Sequence, residues 1–475
     1  MVFSSTLFLF VFLPITLLGY YLIKDSFKNY WLLIVSLIFF GWSQPNYLWI
    51  ILLNITINYI GAILLDRFNK QRKFFLAITV IANLAILFYF KYFNFAIETF
   101  NKIFVRNIDI FNIILPIGIS FFTFQGMSYV IDVFRKDVPL QRNIFKLGLY
   151  IVLFPQLIAG PIVRYKDISN EIDNRNNTLE DFSNGIERFI LGLGKKAIIA
   201  NTMAVTADKI WGQTDNIWLI AWIGSIAYML QIYFDFSGYS DMAIGLGRMF
   251  GFHFNENFNL PYTSHNITEF WRRWHISLSS WFRDYVYIPL GGNRKNVYLN
   301  LSIVFLLTGI WHGASWHFII WGIYNGVFIL LERALKVNAN SHAQLSIEEK
   351  KWDLSPITIF SKIYTLLVVN FGWVLFRATG MRDAYRFFLT MFGLRAPENV
   401  GFSVLWYLDK WTLTIMIIGI LFASSVPTRI GMIIKAHMNK KVYVIVKNAI
   451  LLSMLYLSMI RIVSGTYNPF IYFKF

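Results

Sequence analysis

Residues 217–236 read IWLIAWIGSIAYMLQIYFDF, and no charged residue interrupts the run before Asp235. About 20 such residues cross the hydrocarbon layer of a bilayer as a helix. Backbone groups find no water partners in lipid, so only helices or closed barrels can span it. The apolar character here is continuous rather than alternating, which selects a helix. Similar runs occupy 7–23, 30–42, 46–65, 74–93, 113–134, 145–163, 187–206, 357–376, 411–426 and 443–463, and the run 298–331 is broken near Gly309–Ser315. The expected fold is an all-α polytopic integral membrane protein of about eleven spans, in one domain over 1–475, with short runs such as 30–42 tilted or re-entrant.

Composition agrees. The 475 residues are 56% hydrophobic and 19% aromatic, and only 15% are charged, against about 25% in soluble chains. The formal charge of +17 is read as Lys and Arg in loops held on the cytoplasmic side. The basic clusters Asp66–Lys73 and Arg135–Lys146 place the N-terminus outside over the first six spans. Basic residues are not gathered into one soluble module, which argues against nucleic-acid binding. The absence of cysteine excludes disulfides, thiolate metal sites and a Cys nucleophile. Residues 1–6 lack a basic leader, so the first apolar run reads as a retained span. One soluble excursion is expected at 337–355, where Ser341, Glu348, Glu349, Lys350 and Lys351 gather.

The segment 237–295 stands apart. It combines Gly238, Gly245, Gly247, Gly251, Gly291 and Gly292 with several arginines, three histidines and many aromatics. Such a segment is expected to form re-entrant or buried helices lining a cavity. Read as one helix, 266–286 opens with a capping pattern, Asn266 followed by Glu269. Trp271, Trp274, Leu278, Trp281 and Tyr285 then fall on one face, and Thr268, Arg272, His275, Ser279 and Arg283 on another. That second stripe fits either an interfacial helix with snorkelling arginines or the wall of an active-site cavity.

A second histidine lies in Thr308-Gly309-Ile310-Trp311-His312-Gly313-Ala314-Ser315-Trp316-His317. Gly309 and Gly313 allow close helix packing. An ionisable residue inside a span is a functional-site candidate. A neutral imidazole at His312 can take a proton from a hydroxyl, as acyl transfer requires, or can simply bond a neighbouring helix. His317 is read as interfacial or structural. The histidines lack ligand spacing on one helix, so no metal is expected. No phosphate-binding loop and no nucleophile elbow stands out. No internal repeat supports a transporter built from duplicated halves, although proton-relaying histidines keep that class as a rival. The chain ends Asn468-Pro469-Phe470-Ile471-Tyr472-Phe473-Lys474-Phe475, an aromatic tail (468–475) of interfacial character.

These motifs together resemble the membrane-bound O-acyltransferase (MBOAT) family, in particular its bacterial branch of alginate O-acetylation and teichoic-acid D-alanylation membrane proteins. The resemblance is carried by Tyr233-Phe234-Asp235-Phe236-Ser237-Gly238-Tyr239-Ser240-Asp241, Asn259-Leu260-Pro261-Tyr262, Phe270 through Ser279, Tyr287 through Arg294, and Trp311-His312-Gly313. It is densest over 231–326. It implies a helical fold around a central funnel and tunnel, with His312 as the main catalytic residue and His275 as the second. It implies a multi-pass protein of the bacterial cytoplasmic membrane that passes acetyl groups outward. Acetyl-CoA is the implied donor substrate, with no tightly bound cofactor. The implied partners are an exported SGNH-like acetyltransferase and a cell-envelope polysaccharide system. The rival within the same chemistry is an acyltransferase acting on a lipid or protein in its own membrane. Tyr472 is the implied acyl carrier. Arg272, Arg273 and Arg283 are candidates for the donor's phosphates, or equally for packing on carboxylates.

Overall fold

The computed structural model describes residues 1–158, 160–213, 217–337, 355–395, 402–465, 467–468 and 471. Among these, the regular elements are all helical. Six helices among the described residues are long and apolar enough to cross a membrane: Pro45–Arg67, Asn69–Phe104, Leu179–Trp211, Trp218–Met249, Pro356–Arg377 and Lys440–Ser464. The pair Lys410–Phe422 and Val426–His437, bent by 73°, makes a seventh if taken as one span. The expected eleven is therefore not reached by length and composition. Several apolar runs fold as shorter pieces, among them Phe8–Leu22 and Val297–His312. The run 145–163 becomes Ile144–Val152 and Phe154–Leu157, helices buried in protein along most of their length.

The chain forms two compact units, Met1–Phe189 with Ser240–Asn255, and Ile190–Tyr239 with Glu256–Phe475. In the first, the helix Leu48–Arg67 packs on Arg72–Leu87 and Ile119–Arg135. An amide cluster fastens them. Asn54 Nδ2 donates to Asn83 Oδ1 at 2.8 Å, and Asn83 Nδ2 donates to Asn58 Oδ1 at 3.0 Å. Side-chain amides bonded across helices hold membrane bundles together where no hydrophobic drive separates helix from lipid. Gly126 makes room for them: a Cβ there would lie 2.3 Å from Asn58 Nδ2.

In the second unit, Val297–His312 and Trp316–Ala334 form a tight antiparallel pair across a three-residue link. Gly309 packs on Gly322, with a Cβ at either position 2.5 Å from a carbonyl oxygen of the other helix. Gly313, which the sequence pairs with Gly309, instead lies under the ring of Phe318. The helix Pro356–Arg377 packs on Trp316–Ala334. The helix Trp218–Met249 runs on through the motif 233–241 rather than stopping near 236. Gly238 lets Gly192 approach it, since a Cβ there would sit 2.8 Å from the Gly192 carbonyl oxygen. The expected soluble excursion falls on residues of which 338–354 lie outside the described set.

The stretch 266–286 is not one helix. Asn266 caps it, its Oδ1 accepting from Glu269 N–H at 2.7 Å, but the first helix ends at Arg273. Trp274 is extended, His275 has φ 45° and ψ 53°, and a second helix starts at Ile276 and runs to Phe282. A π-helical turn follows over Arg283–Tyr287. The expected stripe of Thr268, Arg272, His275, Ser279 and Arg283 therefore shares no single face. Arg272 is exposed, whereas His275 is buried at 1% exposure. The break survives because another strand of chain satisfies it: Asn259 N–H bonds Arg273 O at 2.9 Å and Ile276 N–H bonds Asn257 O at 3.0 Å. Glu332 caps the first helix from Trp316–Ala334, its carboxylate accepting from Ile267 N–H at 2.6 Å and Thr268 N–H at 2.9 Å, where the helix dipole favours negative charge.

Candidate active site

Both histidines that the sequence singles out are buried in the second unit. His312 is the last residue of its helix, and Gly313 leaves it in extended conformation (φ −170°). Its imidazole is boxed by rings. Trp321 stands edge-on at 5.0 Å between centroids and Phe376 at 5.2 Å, with Trp311 at 5.0 Å. Trp311 also reaches His275, at 6.0 Å, so one indole contacts both imidazoles. Outside this lie Trp271, Trp274 and Trp373, with Trp274 and Trp373 at 4.8 Å and Trp271 and Trp321 at 5.5 Å. Of the aromatic face expected of 266–286, Trp271 and Trp274 join these rings in an aromatic chamber about the histidines, whereas Trp281 and Tyr285 pack on each other at 5.1 Å.

His275 has a different environment. Its Nδ1 lies 3.1 Å from Asn257 Oδ1. Phe236 meets its ring edge-on at 4.6 Å. Asp235, one residue before Phe236 on the Trp218–Met249 helix, is buried in an ion pair with Lys196 at 2.7 Å. The other oxygen of Asp235 accepts from the backbone N–H of Ile471 at 2.9 Å. The C-terminal segment is held further back too: Asn201 Nδ2 donates to Asn468 Oδ1 at 3.3 Å, and Tyr467 donates to Asp208. Tyr472 itself lies outside the described residues.

The three arginines separate. Arg273 is buried and bonds Glu269 at 2.9 Å and the Asn259 carbonyl at 3.1 Å, so it clamps the break between the helices. Arg283 pairs with Asp284 at 2.7 Å and is 60% exposed. Arg272 is at the surface. Of the three, Arg272 and Arg283 lie at the surface and Arg273 is enclosed. His317 bonds Ser315 Oγ at 2.8 Å and lies against Phe318. Among the described residues no three His, Asp or Glu side chains converge as a metal site would require.

Sequence reading passed over Asn257 and Lys196. Asn257 precedes His275 by 18 positions and reaches it only because the chain turns back through Pro261. Lys196 sits in a π-helical segment, Lys195–Ala200. A local π-bulge of this kind is frequent at functional sites, but its register cannot be read from an apolar run.

The sequence profile of the membrane-bound O-acyltransferase family matches residues 141–344. Over the whole of both chains, this protein is 40% identical to a protein of Pseudomonas putida described as a probable alginate O-acetylase. The chain belongs to the membrane-bound O-acyltransferase family. It is 35% identical to a peptidoglycan O-acetyltransferase of Helicobacter pylori over 83% of this chain and 80% of that one. It is 29% identical to a teichoic acid D-alanyltransferase of Bacillus subtilis over 56% of this chain and 69% of that one. As a member of this family it is a multi-pass membrane O-acyltransferase. The profile covers both histidines, the aromatic chamber up to Trp321 and the Asp235–Lys196 pair.

Proposed function

We propose that this membrane-bound O-acyltransferase acetylates a cell-envelope polysaccharide by passing acetyl groups across the bacterial cytoplasmic membrane. The observation that carries this reading is the burial of His275 and His312 in one aromatic chamber bridged by Trp311. Relatives described as acetylating alginate and peptidoglycan support the acceptor class. The donor in this reading is cytoplasmic acetyl-CoA, its phosphates meeting the surface arginines Arg272 and Arg283.

His312 acts as general base on the incoming hydroxyl. The hydroxyl oxygen attacks the thioester carbonyl, a C–O bond forms and the C–S bond breaks. The hydroxyl proton passes to the imidazole and then to the departing thiolate. A dry chamber strengthens whatever dipoles face the developing oxyanion. His275 positions the donor. The first acceptor is the phenol of Tyr472, whose preceding residue, Ile471, is tied to Asp235. A phenol of ordinary pKa about 10 needs a base to attack, and it leaves more readily than an alkoxide when the acetyl group moves on. The acetyl group then passes to an exported SGNH-like acetyltransferase that modifies the polymer.

The test is deletion of the gene followed by mass measurement of acetate on surface polymers, with the wild-type chain, Tyr472→Phe and His312→Ala returned on a plasmid. Loss of polymer acetate on deletion, restored by wild type alone, is the expected outcome. Full acetylation with Tyr472→Phe would remove the carrier step. Unchanged acetate on deletion, with altered acylation of a membrane lipid or protein, would favour an acceptor within the same membrane.

A further inference from the structure

His275 occupies a position that a side chain rarely holds. It is the residue before the first turn of the Ile276–Phe282 helix, where Ser, Thr, Asp or Asn ordinarily caps the free N–H groups with its own oxygen. Histidine offers no such cap, and its φ of 45° lies in the left-handed region that non-glycine residues avoid. Strain of this kind persists where surrounding contacts overdetermine it, and it clusters at functional sites.

The missing cap is supplied from a distance. Asn257 Oδ1 accepts from Ser277 N–H at 3.2 Å and from Ser277 Oγ at 2.9 Å. The Asn257 carbonyl accepts from Ile276 N–H at 3.0 Å. Asn257 is fully buried. One residue therefore holds 276 and 277 through both its main chain and its side chain, which frees the His275 ring from any capping role.

The same contacts fix a proton. A backbone N–H can only donate, so the Asn257 atom facing Ser277 is the amide oxygen and not the nitrogen. That oxygen also faces His275 Nδ1 at 3.1 Å. Nδ1 must carry the hydrogen of that bond, which leaves the lone pair of a neutral imidazole on Nε2. Phe236 and Trp311 pack on the ring, and Ser277 Oγ approaches Nδ1 at 3.5 Å.

We propose that Asn257 is a positioning residue for catalysis: by capping the Ile276–Phe282 helix in place of His275, it holds the His275 imidazole in the chamber as the Nδ1–H tautomer, with Nε2 presented as the acceptor. This deepens the acyl-transfer reading of the chamber and rests on it. His275 then contributes a hydrogen-bond acceptor of fixed tautomer, complementing His312.

Three full-length variants test it: Asn257→Ala, Asn257→Asp and His275→Asn. Each is measured for polymer acetate in cells lacking their own copy. Protonation of His275 is followed in the purified chain by pH-dependent hydrogen exchange at the imidazole C2, read by mass spectrometry. Removing the outer partner of a metal-bound imidazole costs about 10- to 100-fold, and by analogy Asn257→Ala should lose acetylation on that scale. The carboxylate of Asn257→Asp keeps both acceptor bonds and favours the imidazolium. It should restore much of the activity while the protonated form of His275 persists to higher pH than in wild type. Acetylation by Asn257→Ala within about twofold of wild type would overturn the assignment. So would an unchanged His275 titration in Asn257→Asp, because a purely structural cap would leave the imidazole untouched. Wild-type acetylation by His275→Asn would instead overturn the catalytic role of His275 on which the proposal rests.

Discussion

The amide cluster of the first unit and the histidine chamber of the second place polar groups in equally apolar surroundings, and they use them in opposite ways. Asn54, Asn58 and Asn83 turn their amides on one another across two helices, so all three amide nitrogens and two of the three oxygens are engaged, Asn54 Oδ1 being the exception. In the chamber, aromatic rings pack around His312, and the Asn257 amide oxygen engages Nδ1 of His275, which in our proposal leaves the lone pair on Nε2. Burying a polar group is costly in either place. Bonding it internally yields stability; fixing one atom and leaving another chemically capable yields a reactive site.

The comparison breaks first at His312. Replacing it with alanine should reduce polymer acetylation by about 10²- to 10⁴-fold, the range general-base catalysis supplies, with membrane insertion and thermal unfolding in detergent near wild type. A large fall in unfolding temperature would mean that His312 serves the bundle as the asparagines do. The next effect is on stability. Asp235→Asn leaves Lys196 as a buried charge without its counter-ion, and breaking such a pair costs about 3–5 kcal/mol. The unfolding temperature should drop, and the double variant Asp235→Asn with Lys196→Met should recover part of it. The same substitution should make the C-terminus more susceptible to carboxypeptidase, since a neutral amide oxygen accepts from Ile471 N–H less strongly than the carboxylate does.

Asn83→Ala sharpens the contrast from the other side. Interhelical bonds in membranes average below about 1 kcal/mol each. This variant should therefore unfold a few degrees earlier while acetylation per folded molecule stays unchanged. Lost acetylation at normal stability would move the amide cluster into the functional machinery.

The smallest effect lies outside the spans. His253 bonds Glu171 at 2.8 Å and Asp181 at 3.2 Å. Burial alone would lower its pKa, but the bonds and charges of the two carboxylates outweigh that and raise it above 6.5. A raised folded-state value means that the protonated pair stabilises fully below the unfolded value and fades as pH rises through the folded one. The ring is about half exposed, so solvent screening keeps the contribution below about 1 kcal/mol. The unfolding temperatures of wild type and His253→Gln should differ most near pH 5.5 and converge by pH 9. A gap that widens with pH would refute the sign.

Several of these features are legible in the sequence because they depend on composition or immediate neighbours. The helical class follows from continuous apolar runs, and the break before Trp316 from Gly313 to Ser315. The two histidines stand out because ionisable groups are rare in such runs. Periodicity failed at 266–286, where it predicted one helix with one polar face. Local spacing cannot register that Asn257 and Asn259 hold the chain open at 274–275. The count of about eleven spans is not confirmed by helix length and composition: an apolar run reports burial, and burial by protein is indistinguishable in sequence from burial by lipid.

What the sequence determines by itself is the solvent: 56% hydrophobic residues and 15% charged commit the chain to helices in a membrane, since nothing else satisfies its backbone there. It also singles out His275 and His312 as candidates for chemistry, since ionisable groups are rare in such runs. The tertiary structure alone decided their relations. It put Trp311 against the His275 imidazole, tied the C-terminal segment to Asp235 through Ile471, and set Asn257 to cap the helix that His275 precedes. Each of these joins residues distant in the chain or turns on a single backbone angle, and contacts of that kind exist only once the helices have packed.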